Sequence, residues 1–169
     1  HVIGDTIIDT YTRAKLIGGQ TKTPTFSVLY QGQDDYIGGA GIVAQHLRAA
    51  GANVSFSTVL GNDNLKDFVV SSLKDFDINF LPIVDPSRPT TQKNAIVSGG
   101  YRLVKIDKLD NRPISDQILE KLVANIKKIP TDAIVFSDFR HGIFNRTSVP
   151  KLTESIAQGV FRVADSQVA

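Results

Sequence analysis

The segment spanning residues 36–63 constrains the fold more than any other part of this sequence. It reads YIGGAGIVAQHLRAAGANVSFSTVLGND and joins a glycine-rich turn, an alanine-lined helix, a β-branched strand and a second turn. Two adjacent glycines, Gly38 and Gly39, open the helix, and such a start offers free backbone N–H groups and close approach to a polar ligand. Gly51 ends the helix, and residues 53–60 read as a buried strand.

The rest of the chain alternates apolar strands with amphipathic helices. That order predicts a doubly wound, mostly parallel α/β sheet. Residues 12–36 and 91–107 break this rhythm and predict a small antiparallel β-lid, whose second part is a hairpin about Gly99-Gly100. The predicted strands are 2–8, 53–60, 78–84, 131–136 and 160–164, and the predicted helices are 41–50, 65–76, one from the N-cap Ser115 to Lys128, and one from Thr147 or Ser148 to Gly159.

Length, charge and cysteine content narrow the class of protein. With 169 residues and 41% hydrophobic content, the chain is one domain, or a large piece of one, with a proper core. The net charge of +2 comes from dispersed Lys and Arg, which disfavours nucleic acid as a partner. No apolar run approaches the ~18 residues of a membrane span. The absence of cysteine excludes disulfides and thiolate metal sites. These features favour a cytoplasmic enzyme.

Acidic residues follow several predicted strands, at the sheet edge where open parallel sheets bind ligands. Asp5 and Asp9 belong to the first strand and its loop, and a carboxylate can accept two hydrogen bonds from vicinal sugar hydroxyls. Both are equally explained as loop or cap residues. Asp9 is the stronger candidate, because Asp5 directly follows Gly4 and fits an internal turn. Asp138 ends another predicted strand, in the motif SDFRHG.

Three basic side chains are candidates for phosphate contacts. Lys93, in TTQKNAIV, is either a solvated surface lysine or a contact made from the lid. Arg140 and His141 follow a strand end where a phosphate or nucleotide could lie, although a surface loop explains them equally well. The three histidines have no metal-ligand spacing. No Walker phosphate loop occurs, and IGDTIID stands where a dinucleotide fingerprint would follow the first strand.

The order of these motifs resembles the amino-terminal half of a PfkB (ribokinase-like) carbohydrate kinase. The motifs that carry the resemblance are IGDTIID, YIGGAGIVAQHLRAAGANVSFSTVLGND, PTTQKNAIVSGGYRLVKIDKLDNRPIS and AIVFSDFRHGIF. Within the family the chain is similar to the bacterial D-glycero-β-D-manno-heptose 7-phosphate kinases, an assignment carried by the TT-x-K segment and the Asp-Asn-Arg-Pro behind it.

The resemblance implies an ATP- and Mg²⁺-dependent kinase acting on a hydroxyl of a sugar or sugar phosphate, most similar to heptose 7-phosphate. Asp9 matches the family's sugar-hydroxyl ligand, and Gly38 and Gly39 match the pair whose backbone lies against the sugar. Lys93 matches a lysine expected near the substrate's phosphate, and Asp138 lies at the strand end that faces the cleft. The lid serves as a dimer surface in many members, which implies a homodimer.

The sequence departs from the family pattern at three positions. Ile42 stands where an Asn usually follows the glycine pair, and Asp165-Ser166-Gln167 replaces an Asp-Pro-Lys. His141, with Arg140 beside it, replaces the lysine of the heptose-kinase motif Ser-Asp-Tyr-x-Lys-Gly. These departures indicate a related sugar phosphate rather than heptose 7-phosphate itself.

Motifs for ATP and for the general base do not occur in these residues. The family's Asn-x-x-Glu and Gly-Ala-Gly-Asp motifs are expected after Ala169, so no catalytic residue is predicted within the chain. We expect the chain to be the sugar-binding half of a longer, active protein and to be inactive alone. It also lacks methionine and starts in mid-strand, which fits a piece of a longer chain. Two alternatives stay open: a non-catalytic sugar-phosphate-binding protein with a kinase fold, and, ranked last, a generic nucleotide-binding α/β domain.

Overall fold

The chain forms two sheets, and the order of its elements explains how they are connected. A computed structural model describes residues 1–18 and 25–167. In chain order the elements are β1 (Val2–Gly4), β2 (Thr6–Gly18), β3 (Ser27–Gly39), α1 (Ala40–Ala49), β4 (Ser55–Leu60), α2 (Asn64–Lys74), β5 (Asn79–Val84), β6 (Gln92–Ser98), β7 (Tyr101–Lys108), α3 (Asp116–Lys128), β8 (Ala133–Asp138), α4 (Ser148–Glu154) and β9 (Phe161–Ser166).

Two sets of sequence predictions fall outside the described residues. One is part of the predicted lid, residues 19–24. The other concerns the end of the chain, because the general base is expected after Ala169. The described range ends at residue 167, one residue beyond β9, so Val168 and Ala169 lie outside it. The expectation that catalytic motifs follow Ala169 therefore stays a prediction.

The first sheet is the core, and it confirms the predicted parallel arrangement. Its strands run in the order β5-β4-β1-β8-β9, and every neighbouring pair is parallel. Helices α1 and α2 bury one apolar cluster, which contains Val2, whereas α3 and α4 bury a second cluster, which contains Ile3. Because helices cover both faces, adjacent residues of one strand are both buried, which explains the continuous apolar runs in the sequence.

The second sheet is the lid, and it is a mixed sheet rather than a purely antiparallel one. Its order is β3-β2-β6-β7; the outer pairs are antiparallel as predicted, but β2 and β6 run parallel. The reason is topological: β2 follows β1 and β6 follows β5, and these two parallel core strands direct both lid strands outward the same way. The predicted hairpin is confirmed, with both Gly99 and Gly100 at positive φ.

The junction between the sheets falls inside the predicted first strand. Residues 2–8 were expected to form one strand, but the structure ends β1 at Gly4 and starts lid strand β2 at Thr6. The lid therefore starts much earlier than residue 12. Apolar side chains continue across the junction because Ile7 and Ile8 are buried where the lid meets the core. This burial is why periodicity alone could not locate the junction.

The helix ends follow their predicted capping residues except in α4. Ser115 caps α3 by accepting the Ile118 N–H, and Gly51, at positive φ, follows the last residues of α1. Helix α4 does not continue to Gly159: it ends at Glu154, where Ser155 and Ile156 make shorter-range backbone bonds to Leu152 and Thr153. Within residues 1–18 and 25–167, no helix is long and apolar enough to cross a membrane.

Gly39 joins β3 to α1 at a point that excludes any side chain. Its φ is 59°, and a Cβ added there would lie 2.3 Å from the carbonyl oxygen of Asp5. That carbonyl accepts the first N–H group of α1, from Ala40, at 2.9 Å. The glycine therefore holds the start of α1 against the junction between core and lid.

We predict that Gly39→Ala destabilises the protein far more than Gly99→Ala. Gly99 has nearly the same φ, 56°, but no atom lies within 4 Å of an added Cβ. Gly99→Ala should cost about 1–2 kcal/mol from backbone strain. Gly39→Ala should cost roughly 2 kcal/mol more, because the methyl group must displace the Asp5 carbonyl. Urea unfolding measures both values, and equal losses would contradict the packing described here.

Candidate functional site

Four residues form a row across the lid where it meets the core. Asp9 on β2 is the register neighbour of Tyr36 on β3 and of Lys93 on β6, and Lys93 in turn is the neighbour of Asp107 on β7. Register neighbours present their side chains on the same face of a sheet. We call these four residues the lid row. Its charges alternate, with Lys93 between two carboxylates.

The carboxylate of Asp9 lies directly over Gly38. A Cβ added to Gly38 would come 2.4 Å from Asp9 Oδ2, so only glycine leaves room for the carboxylate in this position. Within the described part of the chain, neither Asp9 nor Lys93 makes a side-chain hydrogen bond or ion pair, although both are half-buried. A half-buried carboxylate and ammonium that are adjacent but unpaired are available to a polar ligand.

The strands beneath the lid row are fixed by polar contacts on the opposite face. The buried hydroxyl of Thr10 donates to Asp35 Oδ1 at 2.5 Å and accepts from Gln92 Nε2 at 2.9 Å, which joins β3, β2 and β6. The approach to β6 is held from the core by Asp63, whose carboxylate caps α2 and also accepts the Thr90 N–H at 2.9 Å. These bonds fix the strand that carries Lys93.

The loop after β8 begins with a tight turn, residues 138–141, which we call the β8 turn. Asp5 Oδ2 accepts the N–H groups of Phe139 at 3.0 Å and of His141 at 3.2 Å. Asp138 Oδ1 accepts the intervening Arg140 N–H at 2.8 Å. Three consecutive N–H groups are therefore engaged by the protein's own carboxylates, so a ligand at this turn would be held by side chains.

Asp5 is a deeply buried carboxylate, with 3% of its surface exposed. Burial raises the pKa of Asp5 to about 6; the backbone hydrogen bonds from His141, Phe139 and Ile143 oppose this rise, and the nearby charge of Asp138 adds to it. The structure thus places Asp5 in the interior, at the junction between β1 and β2, rather than in a turn.

The structure brings some candidate residues together and separates others. His141 is buried, and its Nδ1 lies 2.8 Å from Asn111 Oδ1, while its Nε2 has no partner in the described residues. Burial lowers the pKa of the His141 imidazole, the charge of Lys93 lowers it further, and Asp107 and Asp138 act in the opposite sense. The charges of the lid row therefore reach the His141 ring. Arg140 is exposed, with φ of 67°.

Asp138 and Gly39 lie beside the lid row rather than within it. Asp138 Oδ2 accepts the hydroxyl of Ser166 at 2.8 Å, which links the ends of β8 and β9. Gly39 follows Gly38 but is held against Asp5. Asp9, Gly38 and Lys93 thus form the centre of the candidate site.

Residues 1–151 match the pfkB family of carbohydrate kinases. The chain belongs to this family. A bifunctional protein HldE from Sulfurimonas denitrificans is 30% identical over 162 residues, which cover 94% of this chain and 32% of that protein. HldE from Helicobacter hepaticus is 30% identical over 148 residues, covering 85% of this chain and 30% of that protein.

Solved structures share the fold of this pfkB-family chain. Phosphofructokinase-2 from Escherichia coli, in complex with fructose-6-phosphate, gives a TM-score of 0.73 at 14% identity, over 98% of this chain and 54% of that one. A carbohydrate kinase from Agrobacterium tumefaciens gives 0.54 at 16% identity, over 80% and 43%. The chain spans about a third of the curated relatives it matches and about half of these kinases.

The described residues form no site for the magnesium ion that pfkB kinases imply. No group of three or more His, Asp or Glu side chains in residues 1–18 and 25–167 is arranged to hold a metal ion. The lid row and the β8 turn offer single carboxylates that are separated or already hydrogen-bonded.

Sequence reasoning missed the residue that joins the loops behind the site. The guanidinium of Arg88 forms a buried ion pair with Asp85 at 2.9 Å and donates to the carbonyls of His141, Arg112 and Pro113 at 3.3 Å. Burial works to raise the pKa of Asp85, but hydrogen bonds from Ser87 and Arg88 lower it overall. An arginine between two prolines carries no periodic signal, so its burial was not predictable.

We predict that Asp5→Asn makes the protein more stable at neutral pH. The folded pKa of Asp5, about 6, lies above the ordinary 3.8. Its contribution to stability is therefore fully present below about pH 4 and is lost as pH rises through about 6. Asn keeps an acceptor oxygen for both N–H groups and does not ionise, so its advantage should grow to as much as about 3 kcal/mol by pH 7.

Urea unfolding between about pH 4 and pH 8 measures this difference. Asp75→Asn, at an exposed aspartate after α2, is the control for removing a carboxyl group from the protein surface. A difference between Asp5→Asn and wild type that stays constant across this range would contradict the raised pKa.

Proposed function

We propose that this chain is the sugar-binding part of an ATP-dependent kinase that phosphorylates a hydroxyl of a sugar phosphate. One observation carries the proposal: the unpaired carboxylate of Asp9 lies over Gly38 and beside the unpaired ammonium of Lys93. Half-buried charged groups that have no partner among the described residues keep their hydrogen-bonding capacity for a ligand. Membership of the carbohydrate kinase family supports the same class of ligand.

Each residue of the centre has a role set by its chemistry. The Asp9 carboxylate accepts hydrogen bonds from two adjacent sugar hydroxyls, and Gly38 lets the sugar approach the backbone. Lys93 provides the positive charge for the substrate's phosphate. Tyr36, which is 55% exposed and packs edge-on against Tyr11 with ring centroids 5.9 Å apart, offers an aromatic surface to the sugar ring.

The β8 turn closes the site from the core side. His141 and Arg140 are placed to make further phosphate contacts, since both follow the end of β8 and His141 lies within the electrostatic reach of Lys93. Asp138 and Gly39 border the cleft between core and lid. In this arrangement the phosphate lies between lid and core, and the sugar lies over Asp9.

The substrate class follows from chemistry and from the relatives together. Two HldE proteins are 30% identical to the chain, and the motifs TT-x-K and Asp-Asn-Arg-Pro resemble those of heptose 7-phosphate kinases. Ile42 on α1 replaces the polar residue that usually contacts the sugar, so we propose a sugar phosphate related to heptose 7-phosphate. The E. coli phosphofructokinase-2 structure holds fructose-6-phosphate, which is also a sugar phosphate.

We place the ATP site, the magnesium site and the general base in the part of the protein that follows Ala169. The chain spans about half of the solved kinases it matches, which supports this division. Bound MgATP would supply the transferred phosphoryl group and neutralise its charge. The residues described here bind and orient the acceptor, so we expect this part alone not to turn over. Dependence on ATP supports a cytoplasmic location.

We predict that Lys93→Gln raises the KM for a sugar phosphate about tenfold in the full-length protein, because an ammonium–phosphate interaction is lost. The control is Lys15→Gln: Lys15 is an exposed lysine near the far end of the lid strand β2, and its removal should change the KM less than twofold. Coupled ADP release over a panel of sugar phosphates measures both. Equal effects of the two substitutions would contradict the assignment of Lys93.

A protein that binds sugar phosphates without catalysis is the second candidate, favoured by Ile42 and by the absence of a lysine at positions 165–167. It would bind the substrate in calorimetry and release no ADP, so the same panel separates the two functions.

We also propose that the protein forms a homodimer through the outer face of the lid. Opposite the lid row, β7 exposes Val104 and Ile106, which are 53% and 56% accessible, next to Ile96 on β6. Adjacent exposed apolar side chains on a sheet are typical of an interface.

We predict that Ile106→Asp weakens self-association at least about tenfold, because it buries a charge in that interface. Val149→Asp, at an equally apolar but isolated exposed site on α4, should leave association unchanged. Sedimentation equilibrium of the full-length protein measures the change. A wild-type protein that sediments as a monomer would contradict the dimer.

A further inference from the structure

Asp5 connects several elements, although it lies in the short junction between β1 and β2. Its N–H donates to the Ser137 carbonyl at 3.2 Å, and its own carbonyl accepts the Ala40 N–H at 2.9 Å. Its carboxylate binds two further N–H groups, from Phe139 and His141. One residue therefore contacts the end of β8, the start of α1 and the β8 turn, at the point where the chain leaves the core for the lid.

The β8 turn has the geometry of an anion-binding nest that is already filled. Arg140 has a φ of 67°, and this left-handed residue directs the N–H groups on either side of it, those of Phe139 and His141, toward the single oxygen Asp5 Oδ2. Successive N–H groups arranged in this way bind anions. A left-handed arginine is unfavourable by itself, so the turn depends on the carboxylate that it surrounds.

The His141 ring carried by this turn lies within the electrostatic reach of the lid row. The charge of Lys93, on β6, acts on the His141 imidazole, as do those of Asp107 on β7 and Asp138 on β8. Asn111, which follows β7, holds Nδ1 of the same ring at 2.8 Å. The place of His141 relative to Lys93 therefore depends on the backbone of the turn, and that backbone is held by Asp5.

We propose that Asp5 is a positioning residue of the sugar-phosphate site: its carboxylate holds the β8 turn so that the His141 ring meets Asn111, which follows the lid strand β7. The predicted effect on the binding of sugar phosphate rests on the proposed function, whereas the effect on the β8 turn does not. The essential property is an acceptor oxygen at this position. Asp5→Asn keeps that oxygen, and Asp5→Ala removes it and leaves two buried N–H groups without a partner.

The experiment compares Asp5→Ala, Asp5→Asn and a control, Val69→Ala, in the full-length protein. Val69 is fully buried on α2, in the apolar cluster that α1 and α2 cover. Its truncation therefore lowers stability without changing the β8 turn. Three quantities are measured below the unfolding temperature: hydrogen exchange at the Phe139 and His141 N–H groups, the pKa of His141 by NMR, and the separate KM values for sugar phosphate and ATP.

We expect Asp5→Ala to speed exchange at both N–H groups at least about tenfold and to move the pKa of His141 upward toward its ordinary value. The KM for sugar phosphate should rise about tenfold while that for ATP changes less than twofold. Neither Asp5→Asn nor Val69→Ala should speed this exchange, and both should keep the His141 pKa and the two KM values of wild type.

Two outcomes would overturn the proposal: unchanged exchange and an unchanged His141 pKa in Asp5→Ala, or a KM for sugar phosphate that rises as much in Val69→Ala. A wild-type protein that phosphorylates no sugar would refute the proposed function alone, since exchange and the His141 pKa still decide whether Asp5 holds the turn.

Discussion

The hydrogen bonds from Phe139 and His141 to the Asp5 carboxylate hold together the place where core and lid meet. The chain leaves the core sheet at this residue, α1 begins against its carbonyl, and the loop after β8 wraps around its side chain. Burial of Asp5 makes its ionised form unfavourable and raises its pKa. The same buried side chain fixes the position of the lid sheet relative to the core sheet.

The candidate site follows from this relation. Strands β2 and β6 follow two parallel strands of the core, β1 and β5. In the lid β2 and β6 pair in parallel, and their register makes Asp9 and Lys93 neighbours. Gly38 on β3 leaves the space that the Asp9 carboxylate occupies. The opposite face of the same strands is tied by Thr10, Asp35 and Gln92. A rigid lower face and an unpaired upper face are what a polar ligand site requires.

Much of the fold was predictable, because its signals are local. The parallel core followed from apolar strands alternating with amphipathic helices, and the lid hairpin followed from Gly99-Gly100. The junction at Asp5 was not predictable, since Ile7 and Ile8 are as buried as the core strand before them. Asp9, Gly38 and Lys93 were candidates singly, but their adjacency depends on strand register, which periodicity does not fix. The role of Arg88 depends entirely on tertiary contacts.

The central claim is that Asp9 binds the sugar, and the most direct test compares Asp9→Asn with Asp35→Asn in the full-length protein. Asp35 is on the neighbouring strand but bonds to Thr10 on the opposite face of the lid. Steady-state phosphorylation of the preferred sugar phosphate should lose about 100-fold in kcat/KM in Asp9→Asn, because hydrogen bonds to a charged acceptor are lost. Asp35→Asn, which weakens a support of the same strands, should lose clearly less, and Asp75→Asn, at an exposed aspartate after α2, should lose less than about threefold. Equal losses, or full activity in Asp9→Asn, would contradict the account.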